Sequence, residues 1–220
     1  MVEQLRKNAN VSEIEMTIQR PNWSRTLLMD AWDDRAHKRV FIRILKPPKE
    51  EGTTFLRLGD NLWSYLPKVE KVLKIPPSMM LQPWMGSDFT NDDLMKESSY
   101  TDDYEHRIAG REERDGEKLV RIELLPHPEA PVVWGKVIFW LRESDSLPVQ
   151  QHFLDEKGNL IKDLRFSEFK KMDGSLVPTR WEIIPETKEG QKTILRILTI
   201  DFNPSPPIPE AVFTEKNLRT

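Results

Sequence analysis

The sequence alternates between apolar and polar side chains over most of its length, and this period of two residues predicts β-strands. Short turn sequences such as Asp115-Gly116 and Asp173-Gly174 separate the alternating runs of the second half. Such turns join antiparallel neighbours, so we expect consecutive strands to pair in order. The candidate strands of this half are residues 104–112, 118–125, 132–142, 148–154, 160–169, 176–185 and 192–202.

Similar runs lie between residues 11 and 75, and they bring the expected total to about ten or eleven strands. A sheet of that size curls or closes on itself. Three places interrupt the pattern: a short helix expected at residues 2–9, an insertion at about 76–96, and a Pro-rich C-terminal tail at 203–220. We therefore expect residues 1–220 to form a single, mainly β (α+β) domain with a helical insertion.

The composition excludes several classes of protein. The chain has 33 Lys and Arg against 36 Asp and Glu, so it lacks the basic excess typical of nucleic-acid binding. No apolar run approaches the length of a membrane-spanning helix. The 7 Trp and 9 Phe are too many for a disordered chain. Cys is absent, which excludes disulfides, thiolate metal sites and cysteine nucleophiles.

No catalytic or metal-binding pattern is present in the sequence. The four histidines (His37, His106, His127 and His152) are far apart and have no partner at metal-ligand spacing. Phosphate-binding loops, nucleophile elbows and zinc-protease motifs are all missing. We therefore expect no enzymatic activity, no catalytic residue, no metal and no cofactor.

The insertion is rich in large apolar side chains. Between prolines that exclude a regular strand, it carries Met79, Met80, Leu81, Trp84 and Met85. Methionine packs against surfaces of variable shape at little cost in strain, so the segment suits a flap over an apolar ligand. It could equally plug one end of the barrel with its own side chains.

Within the same insertion, Thr90 and Asp93 have the spacing of a helix N-cap and an acidic N3 residue, which predicts a short helix through Leu94 and Met95.

The candidate strand at 132–142 is apolar on both faces. An antiparallel strand with one face in water would be polar on that side, so both faces of this strand need cover. One face is expected to look into the barrel, onto side chains or a ligand. The two sets of residues are Trp134, Ile138 and Trp140 on one face, and Val137, Phe139 and Leu141 on the other.

Two motifs resemble a known family. These are Trp63-Ser64-Tyr65-Leu66-Pro67 and the run from Met85 to Leu94, which reads Met-Gly-Ser-Asp-Phe-Thr-Asn-Asp-Asp-Leu. Together they resemble the outer-membrane lipoprotein-sorting family, which is similar to the periplasmic lipoprotein carriers LolA and LolB. The resemblance extends from about residue 11 to the end of the chain.

The resemblance implies a half-open antiparallel β-barrel with a short helical lid, in which an apolar cavity holds lipids or the acyl chains of lipoproteins. It places the lid at about residues 76–96. We expect the cavity to be lined by Trp23, Leu27, Met29, Trp63, Tyr65, Val137, Phe139 and Leu141, and the lid to contribute Met79, Met80, Leu81, Trp84, Met85 and Phe89.

The same resemblance implies a periplasmic carrier whose secretory signal has been removed, since the chain begins without an apolar signal region. The expected partners are lipid or lipoprotein acyl chains and an inner- or outer-membrane protein, with no nucleic acid, and a monomer is expected. The alternative is an envelope protein-interaction or stress-sensing module that uses the fold without transporting lipid.

Overall fold

The computed structural model describes residues 9–96, 100–101, 103–130 and 132–220. The helix expected at residues 2–9 falls almost entirely outside the described residues, and Ala9 already belongs to the first strand. No helix in the described part of the chain is long and apolar enough to cross a membrane.

Thirteen strands form one antiparallel sheet in the order β6-β5-β4-β3-β2-β1-β13-β12-β11-β10-β9-β8-β7. Consecutive strands are neighbours except for β6 and β7, which form the two edges, and β1 pairs with β13 to join the two halves of the chain. The strands are β1 (Ala9–Arg20), β2 (Trp23–Asp34), β3 (Arg39–Lys46), β4 (Thr54–Leu58), β5 (Asn61–Leu66), β6 (Lys71–Lys74), β7 (Tyr104–Arg114), β8 (Glu117–Pro126), β9 (Lys136–Arg142), β10 (Pro148–Leu154), β11 (Leu160–Met172), β12 (Ser175–Pro185) and β13 (Lys192–Asp201).

The expected count of ten or eleven strands was too low. Even the short strands near one edge form complete ladders with their neighbours: β4 has five residues and β6 has four. The run expected at 132–142 begins only at Lys136. Gly135 approaches the β10–β11 turn so closely that a Cβ there would lie 2.5 Å from the Asp155 carbonyl oxygen.

The sheet curls strongly. Strands β3 and β9 are separated by seven strand spacings, which would place them about 34 Å apart in a flat sheet. Yet Ile42 of β3 and Phe139 of β9 line the same cavity. We call the face that carries these residues the inner face. The mainly β class of the fold is confirmed, as a curled sheet whose edges β6 and β7 do not pair with each other.

Two apolar clusters lie on the inner face, one on each half of the sheet. The first contains Met16, Ile18, Leu27, Met29, Ala31, Ile42, Ile44, Phe55, Leu62 and Trp84. The second contains Tyr104, Leu124, Val137, Phe139, Leu141, Phe153, Leu164, Phe166 and Ile183. Phe89, between β6 and β7 in the chain, packs against both clusters, so the halves of the sheet approach each other around it.

A third cluster lies on the outer face of β3–β5, and we call it the tail cluster. It joins Phe41 and Leu56 of the sheet to Phe213 and Leu218, which belong to the 3-10 helices Glu210–Phe213 and Glu215–Arg219 of the C-terminal tail. The Thr54 hydroxyl donates a hydrogen bond of 2.8 Å to the Leu218 carbonyl oxygen. The tail is therefore packed against the outer face of the sheet.

Residues 76–96, which we call the cap segment, contain little regular helix. Two 3-10 turns (Pro77–Met79 and Trp84–Gly86) precede the single six-residue helix α1 (Asn91–Lys96). The predicted capping pair is confirmed: the Thr90 amide donates to Asp93 Oδ2 at 2.7 Å, and the Asp93 amide donates to the Thr90 hydroxyl at 3.2 Å.

Candidate ligand cavity

The curled sheet encloses a cavity of about 310 Å³. This volume is at the lower end of the range for small-molecule sites. Its wall is mostly apolar because alternate residues of the strands face inward. The apolar lining includes Ile14, Met29, Ala31, Val40, Ile42, Trp84, Phe89, Trp134, Phe139, Leu141, Phe153, Leu164, Phe166, Trp181, Ile183, Leu195 and Ile197.

Residues of the cap segment line part of this cavity. The Trp84 ring lies edge-on to the Phe55 ring of β4, with 5.3 Å between ring centroids. Trp84 is buried, at 3% exposure, and Phe89 reaches both inner clusters. These two aromatic side chains therefore contribute to the contact between the cap segment and the cavity wall, together with Met80 and Met85.

Two ion pairs with little solvent exposure fasten the cap segment to the wall. Arg20 Nη1 of β1 lies 3.0 Å from Asp88 Oδ2, and these side chains are 11% and 2% exposed. Lys162 Nζ of β11 lies 2.6 Å from Asp93 Oδ2, with exposures of 5% and 15%. Burial removes most of the solvent screening that weakens surface pairs, so both pairs hold the segment in place.

Further hydrogen bonds reinforce this attachment. The Thr193 hydroxyl of β13 donates to Asp88 Oδ2 at 2.7 Å and accepts a bond from the Asp88 amide at 3.0 Å. The Arg25 guanidinium of β2 donates to the Met85 carbonyl oxygen. The cap segment is therefore attached to both sides of the β1 region.

Polar side chains mark another part of the cavity wall, and we call them the mouth cluster: Asn10, Ser12, Asp33 and Arg35. Along β1, Ser12 pairs with Ile200, whereas Ile18 pairs with Thr193, the residue that bonds the cap segment. Six residues of strand separate these positions by about 20 Å. Along β1, the mouth cluster therefore lies well away from the point where Thr193 bonds the cap segment.

The expected cavity and lid residues fall into three groups. Those that line the cavity are Met29, Phe139, Leu141, Trp84 and Phe89. Those that pack in or against the inner clusters without lining the cavity are Leu27, Val137, Met80 and Met85. The remaining five lie elsewhere: Trp63 and Tyr65 pack against the tail cluster, and Trp23, Met79 and Leu81 are 49%, 45% and 56% exposed.

Several lining residues were not among those expected from the sequence. They include Ile14 and Ile42 in the first half of the chain and Leu164, Trp181 and Ile197 in the second. Each lies at an alternating position of a predicted strand, so the pattern contained the signal. The sequence does not show which of the two alternating sets faces inward.

Tyr104 is a titratable residue that lines the cavity. Burial raises the pKa of the Tyr104 hydroxyl, and the nearby carboxylates of Asp92 and Asp103 raise it further. A phenol in this state stays protonated at neutral pH. Among the described residues, no group of three or more His, Asp and Glu side chains could hold a metal ion. The arrangement is suited to binding an apolar molecule.

Comparisons with known proteins bear on the family and on the fold. A family model described as an uncharacterized protein matches residues 36–220. The chain belongs to this family. A comparison with curated proteins found no match.

Three solved structures share the fold over almost the whole chain. A DUF1329 family protein from Desulfovibrio piger is 23% identical with a TM-score of 0.90, and the alignment covers 99% of this chain and 94% of that one. A putative outer membrane lipoprotein-sorting protein domain from Vibrio parahaemolyticus is 22% identical with a TM-score of 0.86, covering 100% and 96%. A LolA superfamily protein from Nitrosomonas europaea is 21% identical with a TM-score of 0.79, covering 96% and 92%.

The resemblance to the lipoprotein-sorting proteins is thus confirmed for the fold, which this chain shares with proteins of the LolA superfamily.

Proposed function

We propose that the protein binds lipids or the acyl chains of lipoproteins in the cavity and carries them through the periplasm. The observation that supports this most directly is an apolar cavity enclosed between a curled sheet and the cap segment. The likeness of the fold to lipoprotein-sorting structures agrees with this proposal. The proposed function is binding and transport without catalysis, by a monomer.

The energetics of acyl chains explain why such a cavity is needed. Burying one methylene group contributes about 0.8 kcal/mol, so a sixteen-carbon chain in water is unfavourable by about 12 kcal/mol relative to an apolar environment. Polar surface cannot offset that cost. A carrier in water must therefore supply an apolar wall, and Phe139, Leu164 and Ile197 are part of such a wall here.

The cap segment acts, in this proposal, as a lid that seals one end of the cavity. Trp84 and Phe89 contribute its apolar inner surface, while Met80 and Met85 support them from the first inner cluster. Because two largely buried ion pairs hold the segment, ligand exchange through this end would require both pairs to break. Exchange is therefore expected through the opposite end, at the mouth cluster.

The test is acyl binding by variants of two consecutive residues of β13. Ile197 lines the cavity, whereas Leu198 is 41% exposed and does not line it. We expect Ile197→Gln to weaken binding of a dansyl-labelled fatty acid about tenfold, because an amide in the apolar wall must lose its water when the acyl chain covers it. Leu198→Gln serves as the matched control and should bind as the unchanged protein does.

The second measurement is native mass spectrometry of protein that has been extracted gently from cells. We expect the unchanged protein to carry bound acyl species. Ligand-free protein that also takes up no fatty-acid probe would contradict the proposal.

A protein-interaction role is the second candidate, and exposed apolar side chains at residues 66–81 favour it. Leu66, Val69, Leu73, Met79 and Leu81 are between 37% and 56% exposed. Such residues are common in surfaces that bind partners. In this case Leu81→Ser should weaken capture of an envelope partner and leave acyl binding unchanged. Capture that is insensitive to Leu81→Ser and Met79→Ser would argue against it.

A further inference from the structure

The mouth cluster places two neutral hydrogen-bonding side chains, Asn10 and Ser12, in a mostly apolar wall. Asn10 and Ser12 are both 6% exposed, and both line the cavity from β1. Their neighbours across the strands include Ala31, opposite Ser12, and Ile200 on the other side. Buried polar groups usually have hydrogen-bond partners, so their presence in this wall needs an explanation.

The hydrogen bonds that the structure gives these groups leave capacity unused. The Asn10 amide nitrogen donates one long bond of 3.4 Å to Asp33 Oδ2. For the Ser12 hydroxyl, the described part of the chain provides no partner. A serine hydroxyl can donate one bond and accept two, and the Asn10 carbonyl can accept two more. This end of the cavity can therefore satisfy a ligand's polar atoms.

Charge distinguishes between the headgroups that could lie here. Arg35 Nε lies 2.8 Å from Asp33 Oδ2, and the two side chains are 24% and 17% exposed. Their charges cancel, so the cluster presents no net charge to a ligand. A free carboxylate would approach Asp33 without an unpaired cation to balance it. A neutral group with acceptor oxygens matches the cluster better.

The cavity wall near the cap segment offers a different environment. Two carboxylates, Asp92 and Asp93, line the cavity there, and Asp93 is bonded to Lys162 Nζ and to the Thr90 amide. The rings of Trp84, Phe89 and Trp134 supply most of the remaining wall. These rings offer contact area for the hydrocarbon part of an amphiphile, although the Trp84 indole N–H is buried there without a partner among the described residues. The partial exposure of Asp33 and Arg35 agrees with an opening to solvent at the mouth cluster.

We propose that Asn10 and Ser12, beside the Asp33–Arg35 pair, form a headgroup subsite for a neutral acyl ester or acyl amide whose chain extends toward Trp84 and Phe89. This inference rests on the proposed function, since it assigns an orientation and a chemical class to the ligand of the same cavity.

The experiment measures displacement of the neutral fluorescent probe N-phenyl-1-naphthylamine by three fourteen-carbon compounds. These are 1-myristoylglycerol, myristate and tetradecane. We expect the unchanged protein to bind the acylglycerol most tightly. Ser12→Ala should weaken acylglycerol binding about fivefold, the effect of losing one neutral hydrogen bond, and leave tetradecane binding unchanged. Asn10→Ala should have the same selective effect.

Ser64→Ala is the matched control, because Ser64 is also buried on the inner face, at 5% exposure, but does not line the cavity. It should leave all three affinities unchanged. The headgroup subsite is overturned if the unchanged protein binds tetradecane and myristoylglycerol, but Ser12→Ala and Asn10→Ala lower the affinities for both compounds equally or lower neither affinity. The proposed function would stand in that case. If the unchanged protein binds none of the three compounds, both are overturned.

Discussion

Strands β3 and β4 carry an apolar cluster on each face, and the two clusters are packed in different ways. Consecutive residues supply both: Ile42 and Phe55 face inward, whereas Phe41 and Leu56 face outward. On the outer face the tail fills the space with Phe213 and Leu218. On the inner face the cap segment contributes a few lining residues, and a cavity remains.

The difference shows that an apolar face does not by itself identify a binding surface. Both faces remove similar side chains from water, and both contain aromatic contacts such as Trp32–Phe41 and Phe55–Trp84. What separates them is whether the chain supplies enough residues to complete the packing. The tail does so for the outer face, and no described segment does so for the inner face.

The largest effect is expected from truncating the filled cluster. Leu218 is fully buried, and Leu218→Ala should lower the free energy of unfolding by about 4 kcal/mol, because the removed atoms leave a void in close packing. Leu164→Ala, at a 5% exposed residue that already borders the cavity, should cost about 2 kcal/mol, since its side chain has fewer contacts to lose. Urea unfolding of both variants measures the difference. Equal costs would mean that the two faces are packed alike.

A somewhat smaller effect is expected at the attachment of the cap segment. Asp88→Asn leaves the Arg20 guanidinium largely buried without its carboxylate, and we expect a loss of about 3 kcal/mol. Glu50→Gln breaks the more exposed Arg25–Glu50 pair and should cost less than about 1 kcal/mol. If Asp88→Asn unfolds at the same urea concentration as Glu50→Gln, the cap segment is held by packing alone.

The outer face beyond the tail is stabilised by charged groups. Burial alone would raise the pKa of Asp163, but hydrogen bonds from His152, Gln150 and Arg165 outweigh it and lower the pKa to about 2. Because this pKa lies below the unfolded value near 3.8, the carboxylate contributes stability above pH 4 and loses it as pH falls through 2.

Asp163→Asn should therefore be less stable than the unchanged protein by about 2 kcal/mol at pH 7, and the difference should shrink between pH 4 and pH 2. Denaturant unfolding at several pH values measures this. A difference that is constant with pH would show that the amide costs stability for reasons unrelated to charge.

Much of the sheet could be predicted from the sequence, because turn pairs and alternation act locally. Strand β10 begins and ends at the predicted residues, and the capping pair of Thr90 and Asp93 forms as expected. These features depend only on residues that are close in the sequence, so a single sequence is enough to predict them.

The inward face of each strand could not be predicted as reliably. Trp63 and Tyr65 were expected in the cavity, yet they face the tail cluster. Leu62 and Ser64, which alternate with them along β5, are buried on the inner face. The alternation of β5 is the same under either assignment. The contact that turns Trp63 and Tyr65 outward comes from the tail. Its short 3-10 helices have no periodic sequence pattern from which their packing position could be predicted.

A substitution that fills the cavity tests whether the empty space on the inner face is needed for binding. Ala31 is a small residue at 8% exposure that lines the cavity from β2, and Ala31→Phe should place a ring in the empty space. Stability should change by less than about 1.5 kcal/mol, because the ring meets a void instead of a packed core. Fatty-acid binding should weaken about tenfold, or about 1.4 kcal/mol, while Ala31→Ser, which adds almost no volume, should bind normally. Undiminished binding by a stable Ala31→Phe variant would place the acyl chain elsewhere, and a large loss of stability would mean that the inner face is as tightly filled as the tail cluster.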